Sequence, residues 1–299
     1  MEFKEASLRD RHMYYKKEWS VKDLPKFLRD SLQHRELGFD HDGSGPNDRY
    51  RTFRSMEEFE RFMMAKAPYA AYSSVSYYKH PKERKDWLKA ELVFDIDAKD
   101  LLVRSCDCNQ GEVCEVCLED AKQVALSIIE TLKSEFGLED IFLIYSGRGY
   151  HVRALDDEAL AIEDRSKMLR YVTASRVPRD LFMEHGYAAT FRRMFIFTFS
   201  RMDHKNKKLE KNRDEIIRRL ESRRVDFMDF VGKKTKNKIL KKVAGINAEL
   251  ADGKVTIDTK RILRLPSSLH SKVSMICKVV KNWESFDPLK EAVPEFGKE

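Results

Sequence analysis

The sequence predicts an α+β fold in which mixed or antiparallel central sheets are flanked by helices. Ile141–Tyr145 is a nearly continuous apolar run, which is typical of a central strand buried on both faces. Ser146–Gly149 contains two glycines that permit a tight turn, and Tyr150–Leu155 returns as another strand. Apolar residues in Ala121–Phe136 recur at spacings of three and four, and Gly137 follows them. This pattern predicts a helix that covers one face of a sheet.

The N-terminal third of the sequence is predicted to form helices and then strands. Ser20–Leu32 and Ser55–Lys66 each begin with a serine that can cap a helix, and in the second segment a glutamate three residues later completes a capping box. Alternation of residue types predicts strands at Tyr72–Tyr77 and Glu91–Asp97.

The stretch from about 156 to 250 is predicted to be a helical, strongly basic insertion. Arg201–Lys242 contains sixteen Lys or Arg against seven Asp or Glu. Such a surface could follow a nucleic-acid backbone, or it could be a set of solvated helices with internal ion pairs, and charge alone does not separate these interpretations. A strand is expected again at Val255–Asp258, and Cys277 is expected to be a buried strand residue.

The overall composition favours a polyanionic partner. The chain has 299 residues, a formal charge of +7 and 42% hydrophobic residues, which is enough to bury one large core or two smaller ones. A membrane surface is the rival partner. No run approaches the roughly 18 apolar residues of a membrane span, and the start at Met1–Glu5 lacks the apolar region of a signal peptide. We therefore expect a soluble, intracellular protein with no membrane association.

Four cysteines lie within twelve residues: Cys106, Cys108, Cys114 and Cys117. In a reducing cytosol this density is better explained by a metal than by disulfides, and the last two have the spacing of a zinc knuckle. The segment from about 105 to 118 therefore predicts a structural Zn²⁺ site. A redox dithiol is the alternative.

The pair Asp95 and Asp97 closes an apolar strand. Residues two apart in a strand project to the same side, so the two carboxylates should converge. Hard oxygen ligands of this kind suit Mg²⁺ or Mn²⁺, which commonly take part in phosphate chemistry. A solvated turn is the alternative. Asp258, predicted at the end of another strand, could add a third carboxylate.

Cationic and hydroxyl side chains gather in two other segments. The glycine turn would hold Ser146, Arg148 and His151 close together, and a second basic segment covers Arg264–Lys272. A nucleoside triphosphate needs metal-binding carboxylates at one end and such donors at the other. The turn is too short for a P-loop, which disfavours an ATPase.

In this order the motifs resemble those of the small, catalytic subunit of archaeal and eukaryotic DNA primases, and the archaeal form more closely. The matching pieces are Asp95-Ile96-Asp97, the cysteine segment, the following helix, Ser146-Gly147-Arg148-Gly149-Tyr150-His151, Asp258 and Arg264-Leu265-Pro266-Ser267-Ser268-Leu269-His270. The resemblance implies a single primase-type catalytic domain over residues 1–299. From about Asp156 to Ala251 no family motif is matched.

The resemblance also assigns roles to individual residues. It implies that Asp95, Asp97 and Asp258 bind the catalytic metals. The implied nucleotide-binding residues are Ser146, Arg148, His151, Arg264, His270 and Lys272, with Glu36 and Arg49 at the border of the site. The family often mixes histidine with cysteine around its zinc, whereas this segment offers cysteines alone.

The activity implied is template-directed synthesis of short primers from nucleoside triphosphates on single-stranded DNA, by two-metal nucleotidyl transfer. The implied partners are a primase large subunit in a heterodimer, the single-stranded DNA template, the RNA or DNA primer and the nucleoside triphosphates. The expected place is the cytoplasm, with the nucleoid-associated replication machinery. A stand-alone repair or end-joining polymerase, and a non-catalytic nucleic-acid-binding zinc protein, are the alternatives.

Overall fold

The structure is a computed structural model that describes residues 5–109 and 111–298. These residues divide into two compact units, which are described separately. Unit 1 contains residues 5–93, 140–162 and 258–298, and unit 2 contains residues 94–139 and 163–257. The expectation of a single catalytic domain stays a prediction.

The strands of the described chain form three sheets. They are β1 (Leu37–Asp40), β2 (Asp48–Arg51), β3 (Ala70–Ser74), β4 (Ser76–His80), β5 (Lys85–Ala90), β6 (Leu92–Asp97), β7 (Ile141–Tyr145), β8 (Gly149–Ala154), β9 (Ile262–Arg264) and β10 (Lys278–Val279). The strand orders are β2-β1-β3-β9, β10-β7-β8-β6 and β4-β5. The pairs β1–β2, β1–β3, β3–β9, β4–β5, β7–β8 and β7–β10 are antiparallel. Together with the helices, these sheets confirm the α+β class.

Most of the helices in the described residues are short, and three of them have 15 or more residues. They are α1 (Leu8–Met13), α2 (Lys26–Arg29), α3 (Met56–Lys66), α4 (Glu115–Phe136), α5 (Asp157–Leu160), α6 (Arg165–Val172), α7 (Tyr187–Arg201), α8 (Lys207–Lys211), α9 (Arg213–Glu221), α10 (Lys233–Asn247), α11 (Gly253–Ile257) and α12 (Pro288–Glu291). Single helical turns lie at Tyr14–Glu18, Val21–Asp23, Leu32–His34, Ala98–Asp100, Asp229–Val231 and Glu295–Gly297. None of the helices in the described part of the chain is long and apolar enough to cross a membrane.

The β7–β8 hairpin forms as the sequence predicts. Tyr145 pairs with Tyr150 at the turn, and the Ser146 amide donates to the Gly149 carbonyl over 2.9 Å. Gly147 has a φ of +107°, a conformation that side chains disfavour. Because β8 is buried along its whole length, the hairpin is a rigid support for the residues of its turn.

The core of unit 1 packs α3 against the first sheet. Ser55 caps α3 by accepting a hydrogen bond from the Glu58 amide over 3.2 Å. Phe59 and Met63, four residues apart, are buried on one face of the helix. The Phe59 ring lies 6.4 Å from that of Phe39 in β1, so the helix and the central strand share one aromatic cluster.

Unit 2 is built around α4. Its buried stripe includes Val124, Ile128 and Leu132, and Gly137 ends the helix with a φ of +68°. Within this unit α4 packs against α6 and α7. Part of the buried stripe therefore packs against other helices, whereas the sequence predicted that it covers a sheet.

The predicted helix Ser20–Leu32 is wrong in extent. Ser20 caps only the single turn Val21–Asp23, and α2 starts afresh at Lys26. Pro25 explains the break, because proline has no amide hydrogen and disfavours helical geometry in the residue before it.

The predicted strand Val255–Asp258 is also wrong, because most of it lies in α11. The Asp252 side chain accepts a hydrogen bond from the Lys254 amide, and its carbonyl accepts from the Val255 amide. This local capping outweighs the preference of β-branched residues for strands. Similarly, Cys277 is buried but lies just before β10 rather than within a strand.

A buried ion network fixes three segments of unit 1. Glu91 lies between Arg35 and Arg153, and all three side chains are fully buried. Its Oε2 accepts from Arg153 Nη1 over 3.0 Å, while Arg35 Nη2 donates to its Oε1. Arg35 also donates to the Ser31 hydroxyl and the Ser74 carbonyl. The network joins the segment before β1 to β8 and to the residue before β6.

Replacing Glu91 with Gln should strongly destabilise the protein. Two guanidinium groups would then stay buried without a counter-charge, and removing one partner of a buried pair costs about 3–5 kcal/mol. Denaturant unfolding followed by circular dichroism measures this loss. Glu83→Gln at an exposed position is the control, with an expected change within about 0.5 kcal/mol. Equal stability of the two variants would contradict a structural role for the network.

Candidate functional site

Asp95 and Asp97 lie on the same side of β6, as predicted. Both are half-buried, whereas Ile96 between them is fully buried. Asp97 accepts a hydrogen bond from the Lys99 amide over 3.3 Å, and its Oδ2 lies 3.2 Å from Lys99 Nζ. The Asp95 carbonyl accepts from the Asp252 amide over 2.8 Å. The two carboxylates are therefore held by a regular strand and a capped turn.

Asp258 lies in unit 1, directly after α11. Its side chain is exposed, its Oδ1 accepts from the Lys260 amide over 2.9 Å, and its Oδ2 lies 3.4 Å from Arg261 Nε. Asp95 and Asp97 belong to unit 2. The association of the three carboxylates stays a prediction.

The glycine turn and the second basic segment meet within unit 1. A Cβ atom added to Gly147 would lie 2.6 Å from His270 Cβ and Cδ2. Real Cβ atoms do not come this close to other atoms, so only a glycine fits at this position. The structure thus brings together two motifs that are more than a hundred residues apart in the sequence.

Two buried histidines lie in a strongly positive environment. Burial lowers the pKa of His151 well below its usual value, and Arg153 and Arg264 lower it further. Burial lowers the pKa of His270 in the same way, with added effects from Arg264 and Arg148. Both imidazoles are therefore neutral at pH 7. The positive charge of this region therefore comes from its arginines and lysine and not from the imidazoles.

The arginines of this region retain unused hydrogen-bonding capacity. The Nε atoms of Arg148 and Arg264 are buried and have no hydrogen-bond partner within residues 5–109 and 111–298. Arg264 is held from one side, because its Nη1 donates to the Tyr72 hydroxyl over 3.3 Å.

Lys272 is exposed, and its amide donates to His270 Nδ1 over 3.1 Å. Ser146 is half-buried at the start of the turn.

Glu36 forms a second cluster, with Arg49 and with Arg84. The buried Glu36 carboxylate accepts from Arg49 Nη2 and from Arg84 Nε, both over 2.6 Å. The hydrogen bond to Glu36 raises the pKa of Arg84. Tyr50 lies between the arginines, with its ring centre 4.8 Å from the Arg84 guanidinium. Glu36 and Arg49 are thus in direct contact, and their position at the border of a nucleotide site stays a prediction.

Arg84 was missed by the sequence reasoning. It lies in the turn between β4 and β5, with a φ of +52°. The signal that singled out Arg148, a long cation in a tight turn, applies equally to Arg84. It was overlooked because no glycine marks this turn.

The four clustered cysteines can hold a metal ion. Their sulfur atoms all lie within 4.8 Å of one another, and those of Cys114 and Cys117 are 3.8 Å apart. Four sulfurs around zinc, at about 2.3 Å from it, would be separated by about 3.8 Å. Gln110, inside the predicted segment 105–118, lies outside the described residues.

The cluster is attached to the helices of unit 2. Asp120 in α4 accepts hydrogen bonds from the amide and hydroxyl of Ser105, over 2.6 and 2.9 Å. Its Oδ1 also accepts from Arg201 Nε over 2.7 Å. The residue before the first cysteine is thus fixed to α4 and α7.

Part of the basic region forms local ion pairs. Glu215 pairs with Arg218 and Arg219, and Glu210 pairs with Arg213. These contacts support the interpretation as solvated helices for this part. A cavity of about 620 Å³ nearby is lined by both cations and carboxylates, among them Lys207, Lys211, Asp226 and Asp229, and nucleic-acid binding by α8 stays a prediction.

Comparison with known proteins gives one consistent result. Residues 94–281 match the family model of the DNA primase small subunit. The DNA primase small subunit PriS of Methanothermobacter thermautotrophicus is 47% identical to this chain, with 98% of the chain and 97% of the relative covered. PriS of Methanobrevibacter smithii is 44% identical, with 99% of each chain covered. PriS of Thermococcus kodakarensis is 40% identical, over 99% of this chain and 94% of the relative.

The family model covers more than half of the chain, and these relatives align over nearly its full length. The resemblance inferred from the sequence motifs is therefore confirmed, and the chain belongs to the family of DNA primase small subunits.

Proposed function

We propose that this protein is the catalytic subunit of a DNA primase, which synthesises short primers on single-stranded DNA by nucleotidyl transfer. The observation that carries the proposal is the contact between Gly147 and His270. It brings two cation-bearing motifs together within unit 1, which supports the binding of a polyanion there. Membership of the family supports the reaction type.

The triphosphate would bind to residues of the two joined motifs. Arg148 and Arg264 each have a buried Nε–H that lacks a partner in the described chain, and guanidinium groups suit phosphate oxygens. Neutral His151 and His270 can each donate one ring N–H. Ser146 and Lys272 would add a hydroxyl donor and a charge at the edge.

Three carboxylates would hold the catalytic cations. Asp95 and Asp97 present hard oxygen donors from one side of a strand, which fits Mg²⁺ or Mn²⁺. Asp258 would complete the set. When bound, two such ions lower the pKa of the attacking 3′-hydroxyl and stabilise charge on the leaving pyrophosphate. The protein residues supply position: β6 fixes the spacing of the first pair, and Lys99 limits the side-chain freedom of Asp97.

Glu36 and Arg49 would border the nucleotide site. Glu36 is shared between two arginines, so its charge is already neutralised within the protein. Arg49 is therefore held in one orientation before any ligand arrives. Such preorganisation reduces the entropy lost on binding.

The cysteine cluster would bind one structural Zn²⁺. All four ligands would be thiolates, so no position is left open for water or substrate. The metal would hold the segment before α4 in place.

The protein would act in the cytoplasm with the replication machinery, together with a primase large subunit. Its DNA template and the nascent primer would be held mainly through their backbones. An enzyme that starts at many sites needs such sequence-independent contacts.

Incorporation of labelled nucleotides on unprimed single-stranded DNA tests the proposal directly. The protein alone and its complex with the large subunit should be compared, with each nucleotide type and with Mg²⁺ or Mn²⁺. We expect metal-dependent products that begin without a primer. Extension of existing primers alone would identify a repair polymerase, and DNA binding without any synthesis would identify a non-catalytic protein.

Replacing Asp97 with Asn should abolish synthesis while the fold is kept. The variant retains side-chain size but loses a charge that we assign to cation binding, so we expect incorporation to fall at least about a hundredfold. The control is Asp100→Asn, three residues later, which removes an exposed carboxylate that also pairs with Lys99. Similar activity of the two variants would rule out a catalytic role for Asp97.

Replacing Gly147 with Ala should weaken nucleotide binding. The new Cβ would displace His270, so we expect the KM for nucleotide to rise about tenfold or more. Gly45→Ala is a matched control, because Gly45 also has a positive φ, of +124°, but an added Cβ meets nothing within 4 Å. Both variants should lose about 1–3 kcal/mol of stability from backbone strain, and Gly147→Ala should lose more because its Cβ also clashes with His270. An unchanged KM for Gly147→Ala would contradict the assignment.

Replacing Cys114 with Ser should remove zinc and lower stability. Metal analysis should find about one zinc per wild-type chain and much less in the variant. We expect Tm to fall by more than about 4 °C, which corresponds to roughly 1–2 kcal/mol for a unit of this size. Cys277→Ser, at a buried thiol outside the cluster, should keep its zinc. A zinc-free wild-type protein of full stability would disprove the structural role.

A further inference from the structure

The β4–β5 hairpin carries apolar side chains on its surface. Trp87 is 53% exposed and Leu88 is 42% exposed. Residues 85–89 of β5 are all exposed, and only Ala90 at the end of the strand is buried. Tryptophan is highly buried on average, so a ring with more than half of its surface exposed is a candidate for a binding contact.

The same hairpin is rich in positive charge. Lys79, Lys82, Lys85 and Lys89 are all exposed, and Arg84 lies in the turn. The acidic residues of this stretch are Glu83 and Asp86. The hairpin that carries the exposed ring therefore has a clear excess of cations over carboxylates.

The Trp87 ring is held in a fixed position. Its Nε1 donates to the Ser76 hydroxyl over 3.0 Å, and that hydroxyl donates to the Thr259 carbonyl over 2.6 Å. Only one edge of the indole is used by these contacts, and half of the side chain stays accessible. A fixed aromatic ring loses little freedom when another ring stacks on it.

Side-chain contacts link both ends of the hairpin to the proposed site. One end reaches a residue that we assign to the site, and the other end reaches the neighbour of such a residue. At its base, the chain of hydrogen bonds from Trp87 ends at Thr259, the residue after Asp258. At its turn, Arg84 pairs with Glu36. All of these residues belong to unit 1. The hairpin therefore lies next to that part of the site.

We propose that the β4–β5 hairpin binds single-stranded DNA, with an unpaired template base stacked on Trp87 and backbone phosphates contacted by the exposed lysines of the hairpin. The proposal rests on the proposed function and adds a template-binding element to it. Stacking on an aromatic ring is tolerant of sequence, because every base has a π-face. Such a contact suits an enzyme that copies any template.

Charge favours nucleic acid over a protein partner on this surface. Lysine is depleted in the buried centres of protein interfaces, whereas the hairpin that carries the exposed ring has four exposed lysines. An aromatic ring among cations is the usual composition of a single-strand binding surface. A protein partner is treated as an outcome of the test.

Binding of a short fluorescent single-stranded oligonucleotide to the full chain, without nucleotide, measures the stacking. Trp87→Ala should raise the Kd by about 5- to 100-fold, which corresponds to the loss of one stacked base. Trp87→Phe keeps an aromatic ring and should retain most of the affinity. Equal affinity of the Ala variant and the wild type would overturn the proposal.

Fluorescence gives a readout that a purely structural role would not change. The chain contains three tryptophans, and a base stacked on Trp87 should quench its emission. Quenching by the oligonucleotide should therefore be largely lost in Trp87→Phe. Quenching that persists unchanged would show that the base stacks elsewhere.

The salt dependence of binding tests the lysines. Replacing Lys82 and Lys85 with Gln should reduce the slope of log K against log salt by about 1.4, or about 0.7 for each phosphate that is no longer neutralised. The control removes the same charge by replacing Lys16 and Lys17, which are exposed on the helical turn at 14–18. Equal slopes for the two double variants would overturn the phosphate contacts.

These results separate failure of this inference from failure of the proposed function. If the wild type synthesises primers but Trp87→Ala binds DNA normally, only the hairpin assignment fails. If Trp87→Ala binds DNA normally but no longer forms a complex with the large subunit, the surface binds protein and the proposal is overturned. If the wild type neither binds DNA nor incorporates nucleotide, both proposals fail.

Discussion

The arrangement of unit 1 depends on one buried carboxylate. Glu91 is the counter-charge for two arginines that could not otherwise be buried, and each arginine lies close in the sequence to a residue of the candidate site. Arg35 precedes Glu36, and Arg153 lies two residues after His151 on the same side of β8. The network therefore sets the positions of both clusters. A buried ion group is weak evidence for net stability, but it allows few alternative arrangements of the strands that carry it.

The candidate site combines this rigid support with a high local density of positive charge. The Gly147–His270 contact brings Arg148 and Arg264 into one region, and burial together with the field of the nearby arginines keeps both histidines neutral. Donors that are already oriented need little reorganisation when charge develops in a reaction. Phosphoryl and nucleotidyl transfer rely largely on such positioning. The same geometry explains why a glycine, and no other residue, fits the centre of the turn.

The sequence predicted elements best where the signal was local and strong. The β7–β8 hairpin, α3 and α4 follow from apolar runs, a serine cap and a terminal glycine. The errors at Ser20–Leu32 and Val255–Asp258 arose where a proline and an aspartate cap overrode the residue pattern. Among the site residues, periodicity correctly placed Asp95 and Asp97 on one side of a strand. The contact between Gly147 and His270 could not be derived from pattern, because it depends on tertiary packing across more than a hundred residues. Arg84 had a local signal, a long cation in a tight turn, but its contact with Glu36 joins separate sheets and could not be derived from the sequence pattern.

The cationic groups around His270 also affect the protein without its ligand. Arg148, Arg264 and Lys272 are near enough to His270 to act on its ionisation, and like charges held close together repel one another. This repulsion lowers the stability of the folded free protein. A bound polyanion would relieve it, so the charges that weaken the empty fold are those that strengthen the complex. Tolerance of the protein to heat would then depend on how much nucleotide the cell contains, because occupancy of the site would supply stability that the chain alone lacks.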